Sequence, residues 1–166
     1  MCCRRSIAWL VLWVMVFIIA APARLEAEVV EAKAESYVLM DADSGKVLLA
    51  KNEHKQLAPA SMTKLMTLIL AMEALKDKVV TSESAWKMGG SQIYLEPGEQ
   101  MSYEDMLIAI AVGSANDACV AVAEHLEGTH QNFVDKMNHK AKMLGLKNTH
   151  FINSYGLTAP KHYTSA

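Results

Sequence analysis

Residues 59–66 read "PASMTKLM", and the chain runs on through "TLILAMEALK" at 67–76, still largely apolar. Pro59 punctuates the chain, and Ser61 stands at the start of an oily helix with Lys64 one turn further on. A lysine in an apolar setting is costly unless its charge is paired or removed. A serine there needs a neighbouring base before it can attack a carbonyl, and a desolvated lysine whose amine has lost its proton is such a base. The positive end of the helix dipole also disfavours the ammonium, and the Ser61 N–H belongs to the unpaired donors of a first turn. The ordinary alternative is a capping serine with a snorkelling lysine, and for an isolated Ser-x-x-Lys that is the commoner case.

Outward from this stretch, the helix over 61–75 is apolar on nearly every face, which predicts burial in the middle of a domain. At that length it is too short to span a bilayer. Upstream, "YVLMDADSGKVLLAKN" has two apolar runs around a turn-rich centre. It reads as a β-hairpin over residues 37–40 and 46–50. Residues 77–101 are loop-like, with Gly89, Gly90, Pro97 and Gly98 as breakers. A helix is expected from Ser102, with Asp105 completing a box-like cap. Gly113 interrupts it, and two further helices end at Gly128 and Gly145. Strands and helices are segregated rather than alternating, so the fold class expected is α+β, not a doubly wound parallel sheet.

The 166 residues, 52% hydrophobic and 20% charged, suffice for one domain with a core. A net charge of −2 gives no broad basic footprint for nucleic acid. The first residues, "MCCRRSIAWLVLWVMVFIIAAPARLEAE", combine Arg4 and Arg5, an apolar run and small residues around Ala21 and Ala27. They are expected to be a secretory signal peptide over 1–27, with an uncleaved membrane anchor as the alternative. Either way the remainder is exported to the cell envelope. Cys2 and Cys3 leave with the leader, so Cys119 stays alone as a small buried hydrophobe. His125, His130 and His139 lie on polar helix surfaces without ligand spacing, so no metal or other cofactor is expected.

Ser-x-x-Lys occurs a second time, at Ser84–Lys87, where Gly89 and Gly90 follow and the lysine stays solvated in a loop. A further polar group stands at the junction of two predicted helices: "VGSANDA" places Ser114 two residues before Asn116. Both residue types also cap helices well.

Together, "SMTK" opening an apolar helix and "SAN" downstream resemble the serine D-Ala-D-Ala carboxypeptidases. These are low-molecular-mass penicillin-binding proteins of the β-lactamase/DD-peptidase superfamily. The stretches "VLMDADSGKVLLAKNEHKQLAPASMTKLMT", "GGSQIYLEPGEQMSYEDMLIAIAVGSANDACVAVAEH" and "FVDKMNHKAKMLGLKNTHFINSYGL" carry the likeness from about residue 36 onward. The resemblance implies a helical lobe plus an antiparallel sheet, and it implies roles. Ser61 would attack the carbonyl between two terminal D-alanines of a peptidoglycan stem peptide, and Lys64 would take its proton. Ser114 would relay a proton to the leaving D-alanine, and Asn116 would bind the substrate backbone. β-Lactam antibiotics would be covalent inhibitors. The β-lactamase branch usually carries Ser-Asp-Asn, which this chain does not.

The family's third motif, Lys-Thr-Gly on a strand facing the nucleophile, does not occur in the 166 residues. Residues 28–166 are therefore expected to be part of a catalytic domain whose C-terminal strands lie in a longer gene product. Alone, they are expected to be poorly stable and nearly inactive, since a two-stranded hairpin is marginal. The competing expectation is an inactive pseudo-enzyme or peptidoglycan-binding fragment.

Overall fold

The computed structural model describes residues 32–74 and 78–166, with residues 34–166 forming one unit. The expected leader and its anchor alternative lie outside the described residues. The fold is α+β, as expected. Strand β1 (Tyr37–Met40) pairs antiparallel with β2 (Val47–Lys51). A 3₁₀ turn (Ala60–Met62) leads into α1 (Thr63–Met72). Strands β3 (Lys78–Val80) and β4 (Gln100–Ser102) form a second antiparallel pair, with α2 (Glu83–Trp86) between them in sequence. Helices α3 (Tyr103–Gly113), α4 (Asn116–Glu127) and α5 (His130–Met143) complete the lobe.

Several expectations shift. The second hairpin strand starts at Val47 rather than residue 46, because the Lys46 carbonyl accepts from the Asp41 N–H at 2.9 Å to close the turn. Pairing slips by one residue between Leu39 and Met40. The stretch expected to be a loop, residues 77–101, holds β3 and α2. Ser84 and Lys87 accordingly belong to a capped helical turn, not a loop. Ser82 caps it, Ser84 Oγ donates to Glu124 at 2.6 Å, and Lys87 pairs with Glu83.

The helix carrying Ser-x-x-Lys is not buried all round. Its buried face is Thr63, Lys64, Met66, Thr67, Leu70 and Ala71, whereas Met62, Leu65, Ile69 and Met72 are 62%, 64%, 41% and 66% exposed. Those four recur at helical spacing, so they form one stripe. The element in the middle is instead α4, in which eight consecutive residues, Asn116 to Ala123, are buried. Its small side chains (Ala118, Cys119, Ala121, Ala123) let neighbours approach on all sides. One flank packs against Val79, Leu95, Tyr103, Met106 and Ile110, and the other meets Phe133, Val134 and Met137 of α5. Cys119 is fully buried and unpaired, as expected.

Helix starts follow local chemistry. Ser102 caps α3 by accepting the Asp105 N–H at 3.0 Å, as its sequence predicted, and Thr129 caps α5 by accepting from Asn132. Asp117, fully buried in the first turn of α4, accepts from the N–H groups of Ile93, Leu95 and Ala118 at 2.9–3.2 Å. It pins the 91–95 loop against α4. Asp117→Ala leaves three amide donors without their acceptor, and each such orphan costs about 1–3 kcal/mol. Urea denaturation is expected to show a loss of roughly 3 kcal/mol, against about 1 kcal/mol or less for Asp105→Ala, which removes one solvent-exposed partner of the Ser102 hydroxyl.

Candidate active site

Three segments distant in sequence meet at Lys64, whose side chain is buried with 4% of the residue exposed. Its Nζ lies 2.8 Å from Asn116 Oδ1, 2.7 Å from the Tyr155 carbonyl oxygen and 3.3 Å from Ser61 Oγ. Ser114 Oγ is 3.1 Å from Ser61 Oγ. The four residues singled out in the sequence, Ser61, Lys64, Ser114 and Asn116, are thus joined by hydrogen bonds. Ser61 is exposed, and a cavity of about 350 Å³ opens beside it, lined by Ser61, Lys64, Leu65, Leu68, Ile110 and Ser114.

The partners of Lys64 have fixed polarity. A carbonyl oxygen only accepts. Asn116 Nδ2 donates to the Gly89 carbonyl at 2.7 Å, which turns its Oδ1 toward the lysine. A neutral amine has two protons and one lone pair. With both protons given to Asn116 Oδ1 and Tyr155 O, the lone pair is left for the Ser61 hydroxyl. The neutral state also suits the surroundings: burial lowers the Lys64 pKa from its usual 10.5. A Cys119 thiolate would oppose that shift, but burial pushes this thiol up to about 12, so it stays protonated at physiological pH.

Backbone geometry holds the two serines. Ala60 (φ 49°), directly before Ser61, and Ser114 (φ 52°, ψ 33°), the last residue capping α3, both adopt the left-handed conformation. For a residue with a Cβ that is a strain of order 1 kcal/mol, sustained by the surrounding packing. The Asn116 N–H donates to the Ser91 carbonyl at 2.7 Å, fixing the turn after Ser114.

Residues that sequence reasoning missed do much of the positioning. Tyr155 acts through its backbone carbonyl, which no side-chain pattern reveals. Asn153 Oδ1 accepts from the N–H groups of Tyr155 and Gly156, and its Nδ2 donates to the Leu157 carbonyl, closing the 153–157 turn. Gly156 has φ +95°, and a Cβ there would overlap the Ala60 carbonyl oxygen and lie 3.0 Å from the Ser61 nitrogen. Gly90 has φ +85°, and a Cβ there would lie 2.7 Å from Asn116 Nδ2. The sequence marked Gly90 as a breaker only; positive φ beside the site is its structural reason. His130 corrects an expectation as well. It is half-buried and hydrogen-bonded to Ser154, because the first turn of α5 packs on the 153–157 turn; His125 and His139 are exposed as expected.

The sequence model of the D-alanyl-D-alanine carboxypeptidases, peptidase family S11, matches residues 22–166. D-alanyl-D-alanine carboxypeptidase DacF of Bacillus subtilis is 57% identical over 141 residues, covering 81% of this chain and 36% of that protein. Escherichia coli DacA is 40% identical over 146 residues, 80% of this chain and 36% of that one. Among solved structures, penicillin binding protein 5 of Haemophilus influenzae superposes with a TM-score of 0.79 at 40% identity, over 82% of this chain and 42% of that one. Penicillin binding protein 6B of Escherichia coli gives 0.79 at 38% identity, over 86% and 49%. The chain spans less than half the length of these relatives.

Gly156→Ala is expected to force the Ala60–Ser61 peptide out of place. Overpacking of this kind costs about 1–3 kcal/mol, to which the positive φ adds. Urea denaturation checks the loss. Gly145→Ala, which has a positive φ but open space around it, isolates the conformational part.

Proposed function

The chain belongs to the D-alanyl-D-alanine carboxypeptidase family, and we propose that it carries the nucleophile half of a serine carboxypeptidase site that removes the terminal D-alanine from peptidoglycan stem peptides. The observation that supports this reading is the placement of Lys64 Nζ, 3.3 Å from Ser61 Oγ and held by two acceptors that in the neutral amine leave the lone pair for the Ser61 hydroxyl.

In this mechanism Ser61 Oγ attacks the carbonyl of the D-Ala-D-Ala bond as its proton passes to Lys64 Nζ. Ser114, 3.1 Å from Ser61, gives its proton to the departing amine and regains one from the Lys64 ammonium, so that the proton taken from Ser61 ends on the released D-alanine. The products are free D-alanine and an ester on Ser61. Water then attacks the ester, restores the Ser61 hydroxyl and releases the shortened peptide. Asn116 holds Lys64 through Oδ1 and borders the substrate backbone. A β-lactam carbonyl follows the first half of this path and leaves an acyl group on Ser61. In our reading the protein acts outside the cytoplasmic membrane, after export on the leader of residues 1–27, and residues 28–166 are part of its catalytic domain. Among the described residues, no helix is long and apolar enough to cross a membrane.

The pH dependence follows from Lys64. The base is competent only without its proton, and its pKa is lowered by burial. Acylation is therefore expected to accelerate with rising pH and to level off before 10.5, the ordinary lysine value. The stability term has the same sign. Between the lowered pKa and 10.5 the unfolded chain binds more protons than the folded one, so stability rises with pH across that window. Labelled penicillin followed by intact mass is the test. Made as the full-length protein, the wild type and Ser84→Ala are expected to take label and Ser61→Ala none, and Lys64→Ala is expected to slow labelling by roughly 10²–10⁴. Label that survives Ser61→Ala and vanishes in Ser84→Ala sinks the assignment.

A further inference from the structure

Two histidines stand behind the site and reach the same stretch of backbone. His130 opens α5, and His162 lies near the C-terminal end of the described chain with 4% of its surface exposed. His130 Nε2 receives the Ser154 N–H at 3.3 Å and lies 3.0 Å from Ser154 Oγ. His162 Nδ1 receives the Ile152 N–H at 2.9 Å, and its Nε2 lies 2.9 Å from Thr63 Oγ1 on α1. A ring nitrogen that accepts an N–H carries no proton. His130 is therefore the Nδ1–H tautomer, and His162 is the Nε2–H tautomer that donates to Thr63.

The backbone they hold is the part of the site that sequence reasoning missed. Ser154 and Tyr155 face α1 with their carbonyls: Thr67 Oγ1 donates to Ser154 O at 2.6 Å, and Lys64 Nζ to Tyr155 O at 2.7 Å. Gly156 abuts the peptide before Ser61. The His130 ring also stacks on the Tyr155 ring, with centroids 5.6 Å apart.

We propose that His130 and His162 are positioning residues for the Ser61–Lys64 pair, each holding the 152–156 segment in register as a neutral acceptor of one backbone N–H. The role rests on the carboxypeptidase reading above, but the geometry it describes does not. An imidazolium has donors at both nitrogens, so protonation turns each backbone contact into N–H against N–H and leaves His130 only the rotatable Ser154 hydroxyl to donate to. The segment then loses its hold, Tyr155 O moves, and Lys64 loses one of the two acceptors that aim its lone pair. Acylation acquires a second loss on the acid side, distinct from the titration of Lys64.

The surroundings favour the neutral rings. Burial lowers the pKa of both from 6.5. His130 also sits at the positive end of the α5 dipole, and Glu124 of α4 opposes these effects only in part. His162 faces the Thr63 hydroxyl, the Phe151 ring and His150, and a charge on His150 disfavours a second one. The folded state thus binds fewer protons than the unfolded chain as pH falls from 6.5 toward the lowered values, and stability falls in that window.

The test is a pH titration of isotope-labelled protein by NMR, reading the ring nitrogens, the Ile152 and Ser154 amides and the Lys64 ε-carbon together. At neutral pH the rings are expected as Nδ1–H for His130 and Nε2–H for His162. Below pH 6.5 the Lys64 ε-carbon is expected to shift in step with the rings and the two amides. His130→Gln, whose carbonyl accepts but does not titrate, is expected to remove the His130 share of that step and keep labelling by penicillin within about tenfold of wild type. His130→Leu, which accepts nothing, is expected to lose on the order of 10–10²-fold. Opposite tautomers, or a Lys64 signal indifferent to the rings, overturn the proposal, and the wild-type titration decides this even if a variant does not fold. A full-length protein that shows the coupling but takes no penicillin upholds the positioning and refutes the carboxypeptidase reading.

Discussion

The site depends on burying one amine. Lys64 needs acceptors wherever water is excluded, and it finds them 52 and 91 residues away, on Asn116 and Tyr155. Each acceptor makes its own demand. Asn116 presents Oδ1 only because Gly89 takes its amide, and Gly90 must lack a Cβ for Asn116 to fit. Tyr155 presents its carbonyl only while Asn153 closes the turn and Gly156 lies flat against Ala60. The small-residue face of α4 brings these segments together, since bulkier side chains at Ala118 or Cys119 would force its neighbours apart.

Strain collects at the same place. The left-handed residues Ala60 and Ser114 flank the short line from Ser61 Oγ to Ser114 Oγ. Ser114 ends α3 in the left-handed conformation common at helix C-termini, with its own N–H and that of Ala115 on the Ala109 carbonyl, whereas Ala60 has no such local reason. Ala60 is held by the close approach of Gly156, and Ser114 by the bond from Asn116 N–H to Ser91 O two residues later. The packing energy of the lobe is thereby spent on fixing two hydroxyls, an arrangement that a freely relaxing chain would not keep.

Much of this was legible in the sequence, and the limits have physical causes. Ser61, Lys64, Ser114 and Asn116 were readable because side-chain chemistry needs particular residue types at particular spacings. The Ser102 cap, the α+β class and the inert Cys119 were readable from local rules. Strands of three residues, such as β3 and β4, are too short for an alternating pattern to show, so residues 77–101 read as loop. Tyr155 was invisible because its contribution is a backbone carbonyl. His130 looked like a surface residue because α5 is polar around it, and only the packing of that helix's first turn on the 153–157 turn buries it. The lysine of the second Ser-x-x-Lys, Lys87, pairs with Glu83 on a capped turn rather than standing free in a loop.

The deepest misreading concerns α1, and its resolution explains the design. Apolar residues nearly all round predicted full burial, yet the helix turns Thr63, Lys64 and Thr67 inward and leaves Leu65 and Ile69 exposed. These three polar residues share the buried face with Met66, Leu70 and Ala71, and the proposed chemistry requires the lysine there. A lysine on the wet face would remain an ammonium and could take no proton from Ser61. On the dry face its pKa falls, but its protons then need partners, and Thr63 and Thr67 fasten the same face to His162 and Ser154. In the proposed mechanism the burial that would make Lys64 a base is also the burial that costs the fold stability at low pH. A substitution that returned Lys64 to solvent would relieve the one only by abolishing the other.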